Sequence, residues 1–421
     1  MKIKALALVM SLLLLCSCFV ACNNDTNTED TGTGTPATET PATGTPETDP
    51  PATETPETDP PVQTPEEKYA DLYAQGYVYY EKDIVPVGST DKYILDQDNF
   101  EKWYKFQLLA ANDLFGGTYV LATDVVLNEG NAADWKTTKP KNVYKPESNL
   151  WGFDGIFDGN DKTISGFCMT PSTTSTDEAN LGLFGRLVGA SEVKNLRLVN
   201  SYIESKATSD WNNAGSFASR IEGATVKVSN CYSDAIISGN VGGMGGIVGM
   251  VNAVETPSIS NCVFAGKVEG KGAVGGILGI SNANAKCTIT NCMNLGEIVA
   301  LNNQSMAGGI VGCSLYAGNI TELSNCVNLS SKVPNAVFGA NRSLATLPIT
   351  NFVMITNIGV SSLAPAIAEI NTTNIVNKTF AEFLDSNNKV FADWTYEAGY
   401  IPNPTTHTKI PTSAVTTVPA N

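Results

Sequence analysis

Residues 260–279 read SNCVFAGKVEGKGAVGGILG, with an Asn-Cys pair at one end and a glycine cluster at the other. Both ends recur. The cluster returns as Gly245-Gly246-Ile247-Val248-Gly249, Gly275-Gly276-Ile277-Leu278-Gly279 and Gly308-Gly309-Ile310-Val311-Gly312, with looser forms at Gly182-Leu183-Phe184-Gly185 and Gly215-Ser216-Phe217. The pair keeps step as Asn230-Cys231, Asn261-Cys262, Asn291-Cys292 and Asn325-Cys326. A fixed period of about 30 residues marks stacked supersecondary units.

Each unit holds short runs rich in Val, Ile and Thr, such as Thr225–Val228 and Thr288–Thr290, broken by Gly, Asn and Ser. Such runs are strands, and no helical period fits them. Strands alone, returning after about 30 residues, stack in parallel and in register. The fold class is therefore all-β: a right-handed parallel β-helix, or solenoid, of the pectin-lyase-like kind, with coils about 4.8 Å apart. Six to eight coils between about 115 and 345 predict a rod roughly 30 to 40 Å long. Leu196-Arg197-Leu198-Val199-Asn200 imitates a leucine-rich repeat, but later units lack that leucine spacing and any helical segment.

Three residues before each of these cysteines stand Val228, Ile259, Ile289 and Leu323. The odd spacing cannot turn both side chains inward along one flat strand, so the chain bends at the asparagine. Asparagine tolerates left-handed backbone angles, and stacked Asn side chains can hydrogen-bond from coil to coil. Cys313 takes the place of Met250 and Ile280, and Cys287 that of Val226 and Pro257. Cysteine trading places with hydrophobes reads as buried thiols, with a disulfide between neighbouring coils as the alternative. There is no CxxC and no histidine before His407, so neither a metal site nor a cofactor is expected.

The ends differ in kind. Lys2 and Lys4 precede an apolar run from Ala5 to Ala21, the pattern of a secretory signal. Its exit, Phe19-Val20-Ala21-Cys22, resembles the lipobox of bacterial lipoproteins, which makes Cys22 the lipidated residue; Leu15-Cys16-Ser17-Cys18 is a competing site. Residues 23–66 form a Thr/Pro/Glu stalk, extended by its prolines and carboxylates. Residues 67–117 are the N-terminal cap region, with a helix starting at Asp98-Asn99, running through Ala111, and turning Phe100, Trp103, Phe106, Gln107 and Ala110 to one face. The β-helix spans 118–345, a C-terminal cap 346–402 closes the far end, and 403–421 is a disordered tail. The net charge of −16 argues against nucleic acid as a partner.

The pattern GG-I-[VL]-G, then [IV]-[ST]-N-C, then G-x-[IV] resembles the GLUG repeat of bacterial surface proteins and adhesins. Trp151-Gly152-Phe153-Asp154-Gly155-Ile156-Phe157-Asp158-Gly159-Asn160 is similar to the segment that introduces such β-helices. The resemblance covers about 110 to 340, with a similar closing segment near Trp394 to Pro402, and implies a surface scaffold with many uses.

With its only histidine in the tail, the chain has no Ser-His-Asp triad and no HExxH zinc site. Asp154, Asp158 and Asp161 are the densest acids, but they sit beside glycines in a turn pattern. A polysaccharide lyase or glycoside hydrolase resting on carboxylates is the runner-up, and a structural envelope protein the third reading. The leading expectation is a lipid-anchored surface protein that displays the β-helix to an extracellular glycan or protein. Its candidate contacts lie in two insertions, Asp210-Trp211-Asn212-Asn213 and Asp134-Trp135-Lys136, where an exposed Trp beside Asp and Asn would stack on a sugar ring. Folding of each Trp back onto the solenoid wall is the alternative.

Overall fold

The computed structural model describes residues 63–415, apart from 82–90, 110–113, 147–151, 171–179, 207–211, 334–337, 342–348, 356–374, 405–407 and a few shorter stretches. The expected signal, Cys22 and nearly all of the expected stalk lie outside the described residues.

The chain is a parallel β-solenoid. The quoted stretch is most of one coil: Ser258–Ser260 and Val263–Phe264 run along a first wall, Lys267–Gly270 along a second, Ala273–Gly275 along a third and Leu278–Ser281 along a fourth. Cys287–Thr290 then returns to the first wall, with Ser258, Ile259 and Ser260 beside Thr288, Ile289 and Thr290. Lys267 stands beside Glu297, Val274 beside Ala307 and Leu278 beside Val311. Among the described residues the second and third walls have five strands each, so about five coils are complete on all four sides. This is fewer than the six to eight expected, because only two walls continue further. The fourth has eight strands and the first seventeen.

The first wall starts before the expected boundary at 118. Tyr77–Tyr79 pairs with Lys92–Leu95, which pairs with Thr118–Leu121, all parallel. Residues 67–117 thus hold wall strands as well as a helix, Phe100–Leu109. Its buried stripe is Phe100, Trp103, Tyr104, Gln107 and Leu108, the i, i+3, i+4, i+7, i+8 face of a helix. Tyr104 and Leu108 replace the expected Phe106, which is only half-buried. The Trp103 ring lies 4.9 Å from that of Tyr119 and 5.5 Å from that of Phe157.

The corner is as the odd spacing requires. Asn195, Asn230, Asn261, Asn291, Asn325 and Asn351 are all left-handed, with φ from 51° to 54°. Asn230 donates to Asn195 Oδ1 at 3.1 Å, Asn195 to Asp158 Oδ1 at 3.0 Å, and Asn351 to Asn325 Oδ1 at 2.7 Å. Inside the bend, Cys231, Cys262, Cys292 and Cys326 form a buried column between Leu196 and Phe352. Each thiol reaches the carbonyl two residues back, at 3.1 to 3.2 Å. All seven described cysteines are free and buried. Burial pushes the Cys287 thiol up to about 12 and those of Cys231 and Cys292 well above their ordinary value, so these three sulfurs stay protonated.

The repeated glycines are not turns. Gly245, Gly246, Gly249, Gly275, Gly276 and Gly279 are absent from the positive-φ positions. Gly245, Gly249, Gly275 and Gly279 let the third and fourth walls touch: a Cβ on Gly279 would come within 2.4 Å of Met244 N and 2.5 Å of Gly249 O, and one on Gly312 within 2.5 Å of Val274 N, whereas Gly246 and Gly276 make room for Phe264 and Asn294 of the first wall.

The C-terminal part coats a side of the rod. Val263 alternates with the inward Cys262 and Phe264, so it faces outward, and Met293, Val327 and Val353 follow it in register. Phe383, Phe391, Trp394, Ile401 and Ile410 pack on that outer column. Thr379 caps the helix Phe380–Leu384, with Glu382 completing the capping box. The expected end cap is thus in part an outer layer on the first wall. Ile410 and Thr408 are buried within it, although 403–421 was expected to be a disordered tail; Ile401 N donates to Ile410 O at 2.7 Å, tying the two ends of this layer together.

Candidate functional site

The two predicted insertions have different fates. Ala132, Trp135, Cys168 and Tyr202 form one cluster on the outer face of the second wall, where Cys168 and Tyr202 are register partners. Trp135 is 3% exposed, so its ring covers the wall and offers no stacking face. Asn200 holds the insertion down: its Oδ1 accepts from Ala132 N and its Nδ2 donates to Gly130 O, both at 2.8 Å. Lys139 bonds Glu204 at 3.1 Å and lies over the Tyr202 ring. Asp134 is exposed, and its carbonyl accepts from Thr137 N and Thr138 N. The apolar mass of Trp135 outweighs the polar sequence around it.

Asp210 and Trp211 lie outside the described residues. Asn212 and Asn213 are buried where the second insertion enters the third wall, in the strand Asn213–Gly215. Asn213 stands beside Asn180 on one side and Gly243 on the other. A Cβ on Gly243 would meet both Asn213 Oδ1 and Ile280 Cγ2. The Asn213 amide therefore lies in the notch where the third wall folds against the fourth.

That notch changes character along the rod. On the fourth wall one register position reads Gly152, Arg186, Arg220, Met250, Ile280, Cys313 and Ala340. In the later coils Met250, Ile280 and Cys313 pack with Ala273 of the third wall into a small apolar cluster. In the two earlier coils the same positions hold Arg186 and Arg220 on the fourth wall and Asn180 and Asn213 on the third. Arg186 Nη1 lies 2.8 Å and Arg220 Nη2 2.7 Å from the Glu222 carboxylate, with side chains 17 to 22% exposed. This pair of guanidinium groups on the fourth wall, beside the buried amides of the third, is the candidate site. The GG-I-[VL]-G reading missed Arg186 and Arg220 because it attends to what repeats, whereas these residues break the repeat.

The acidic turn is occupied by its own backbone. Asp158 Oδ1 accepts from Asn160 N at 2.8 Å and from Asn195 Nδ2. Asp161 is left-handed, and the Asp154 carboxylate fills the space beside Gly189. Among the described residues no group of three or more His, Cys, Asp or Glu could hold a metal ion.

No family model matches the chain, and no curated protein matches it. Among solved structures it is similar to one titled a "putative immunoglobulin A1 protease" from Bacteroides ovatus, with 15% identity and a TM-score of 0.38, over 78% of this chain and 94% of that one.

Proposed function

We propose that this chain is a ligand-binding module, a GLUG-like adhesin that is exported, anchored through lipid on Cys22, held off the membrane by its Thr/Pro stalk, and directed at an extracellular glycan or protein. The observation that carries the binding reading is the polar notch. Arg186 and Arg220 hold one register position of the fourth wall, and Asn180 and Asn213 one of the third, where the later coils are apolar. A fold that needed only stability would continue the apolar column. Asn213 lies at this notch, and Asp210 and Trp211 precede it in sequence. Catalysis has less support, since Asp154, Asp158 and Asp161 serve the turn.

A glycan array probed with the whole chain tests this. Retention of a saccharide without product, weakened about tenfold or more by Arg220→Ala, is the expected result. Release of unsaturated or reducing-end sugars, abolished by Asp154→Ala, would replace binding with polysaccharide cleavage. Labelled palmitate incorporation is expected to disappear in Cys22→Ala.

A further inference from the structure

We infer that the N-terminal end of the rod holds a separate subsite for a neutral sugar, a cleft in which Glu129, Lys141 and the side-chain oxygen of Asn142 meet its hydroxyls; this rests on the binding reading above. Topology makes the cleft. The two halves of the first wall, before and after its corner, end at different heights. The half before the corner runs two strands past Thr118–Leu121, through Lys92–Leu95 to Tyr77–Tyr79. The half after it stops at Val125–Val126, which among the described residues has strand partners on one side only, Ile164 and Ser165. Two absent rungs leave a step of about 9.6 Å, twice the strand spacing. An open cleft of about 500 Å³ lies there, lined by Gln97, Val126 and the two segments that flank the Trp135 insertion, Leu127 to Glu129 and Lys141 to Asn142.

The amide groups of the lining are spent on holding its shape. Gln97 replaces the absent rung: its Oε1 accepts from Val126 N at 2.6 Å and its Nε2 donates to Val126 O at 3.2 Å. Asn128 pairs likewise with the Asn142 backbone, accepting from its N at 2.8 Å and donating to its O at 2.7 Å, while Asn142 Nδ2 donates to Leu127 O at 2.8 Å. Three groups are left for a ligand: Asn142 Oδ1, the Glu129 carboxylate and the Lys141 ammonium, none with a partner among the described residues. Glu129 and Lys141 are exposed, and they share the cleft without closing on each other. Their charges sum to zero, so an anion meets Glu129 and a cation meets Lys141, each a like-charge contact. A hydroxyl both donates and accepts, and a row of hydroxyls satisfies carboxylate, ammonium and amide oxygen together. Val126, 50% exposed, offers an apolar surface to the C–H face of a ring. The space lies within the roughly 300–1,000 Å³ of small-molecule sites and is far larger than a bound ion needs.

Calorimetric titration of the full chain with mannotriose, cellotriose and chitotriose, beside a galacturonic acid trimer and the zwitterion alanylalanine, tests the assignment. At least one neutral trimer is expected to bind about tenfold more tightly than the acidic trimer or the dipeptide. Glu129→Gln leaves Lys141 as the only charge of the cleft; it is expected to weaken the neutral trimer about fivefold and to tighten the acidic one. Lys141→Met is expected to weaken the neutral trimer about fivefold without that gain. Both side chains are exposed, so both variants are expected to melt as wild type does. A merely solvated surface predicts that both variants bind every probe as wild type does, and that result overturns the cleft. A saccharide retained on the glycan array, with no trimer sensitive to either variant, overturns the cleft and leaves the binding reading standing. Tightest binding of the acidic trimer or the dipeptide overturns the neutral-sugar class, and failure of every saccharide to bind, in solution and on the array, overturns both readings.

Discussion

Asn261 shows how much structure one residue type can carry. Its φ of 54° lies where a side chain beyond Cβ is tolerated only if it is short and polar. Asn261→Ala is expected to cost about 1–2 kcal/mol, the penalty of a left-handed non-glycine residue. Asn261→Gly removes that penalty and is expected to be the milder change. Urea midpoints of the two variants check this; an alanine variant as stable as wild type would mean that the corner is not under conformational constraint. This corner was legible in the sequence, since the three-residue step from Ile259 to Cys262 is incompatible with a flat strand having both side chains inside. Trp135 was less legible. Asp134 and Lys136 look like a solvated loop, and only the outward pair Cys168 and Tyr202, contributed by two later coils, turns the indole into cover.

At the scale of elements, the third and fourth walls meet through backbone. Gly279→Ala would set a methyl group 2.4 Å from Met244 N and 2.5 Å from Gly249 O, both main-chain atoms that cannot swing aside. The expected loss is about 3 kcal/mol or more, since the walls must part to admit it. Thermal melting followed by circular dichroism measures it, and an unchanged melting temperature would show that the contact is loose. Glycine for a turn and glycine for close approach look the same in a one-dimensional pattern. Backbone angle separates them, and these six residues are ordinary in φ. The requirement is local to the later coils, since Ser219 occupies the column of Gly249, carries a side chain there and uses its hydroxyl to bond the Gly185 carbonyl.

For the whole molecule, the rod is sheathed along part of one side. Removing residues 379–421 would uncover the outward column Val263, Met293, Val327 and Val353 together with Leu329 and Ile355. Such a contiguous apolar strip on a wall promotes association. The truncated protein is expected to bind a hydrophobic dye and to elute as oligomers in size-exclusion chromatography; a monomeric, dye-silent product would mean that the strip is covered by other means. This layer was hidden in the sequence because Cys-Val-Phe and Cys-Met-Asn give no sign of which apolar residue faces out. The parallel solenoid itself was plain, since its period, corner and inward column all agree.

The Asn corners also say something about ancestry. Asn261 and Asn291 lie thirty residues apart at equivalent places in adjoining coils, and a chain cut and rejoined between such places keeps its register. Duplication or loss of one such segment lengthens or shortens the rod by about 4.8 Å and leaves neighbouring rungs matched. Coils of this kind are exchangeable cassettes. Selection can thus shift the boundary between the Arg/Asn notch and its Met/Ile continuation by whole coils without redesigning any one of them.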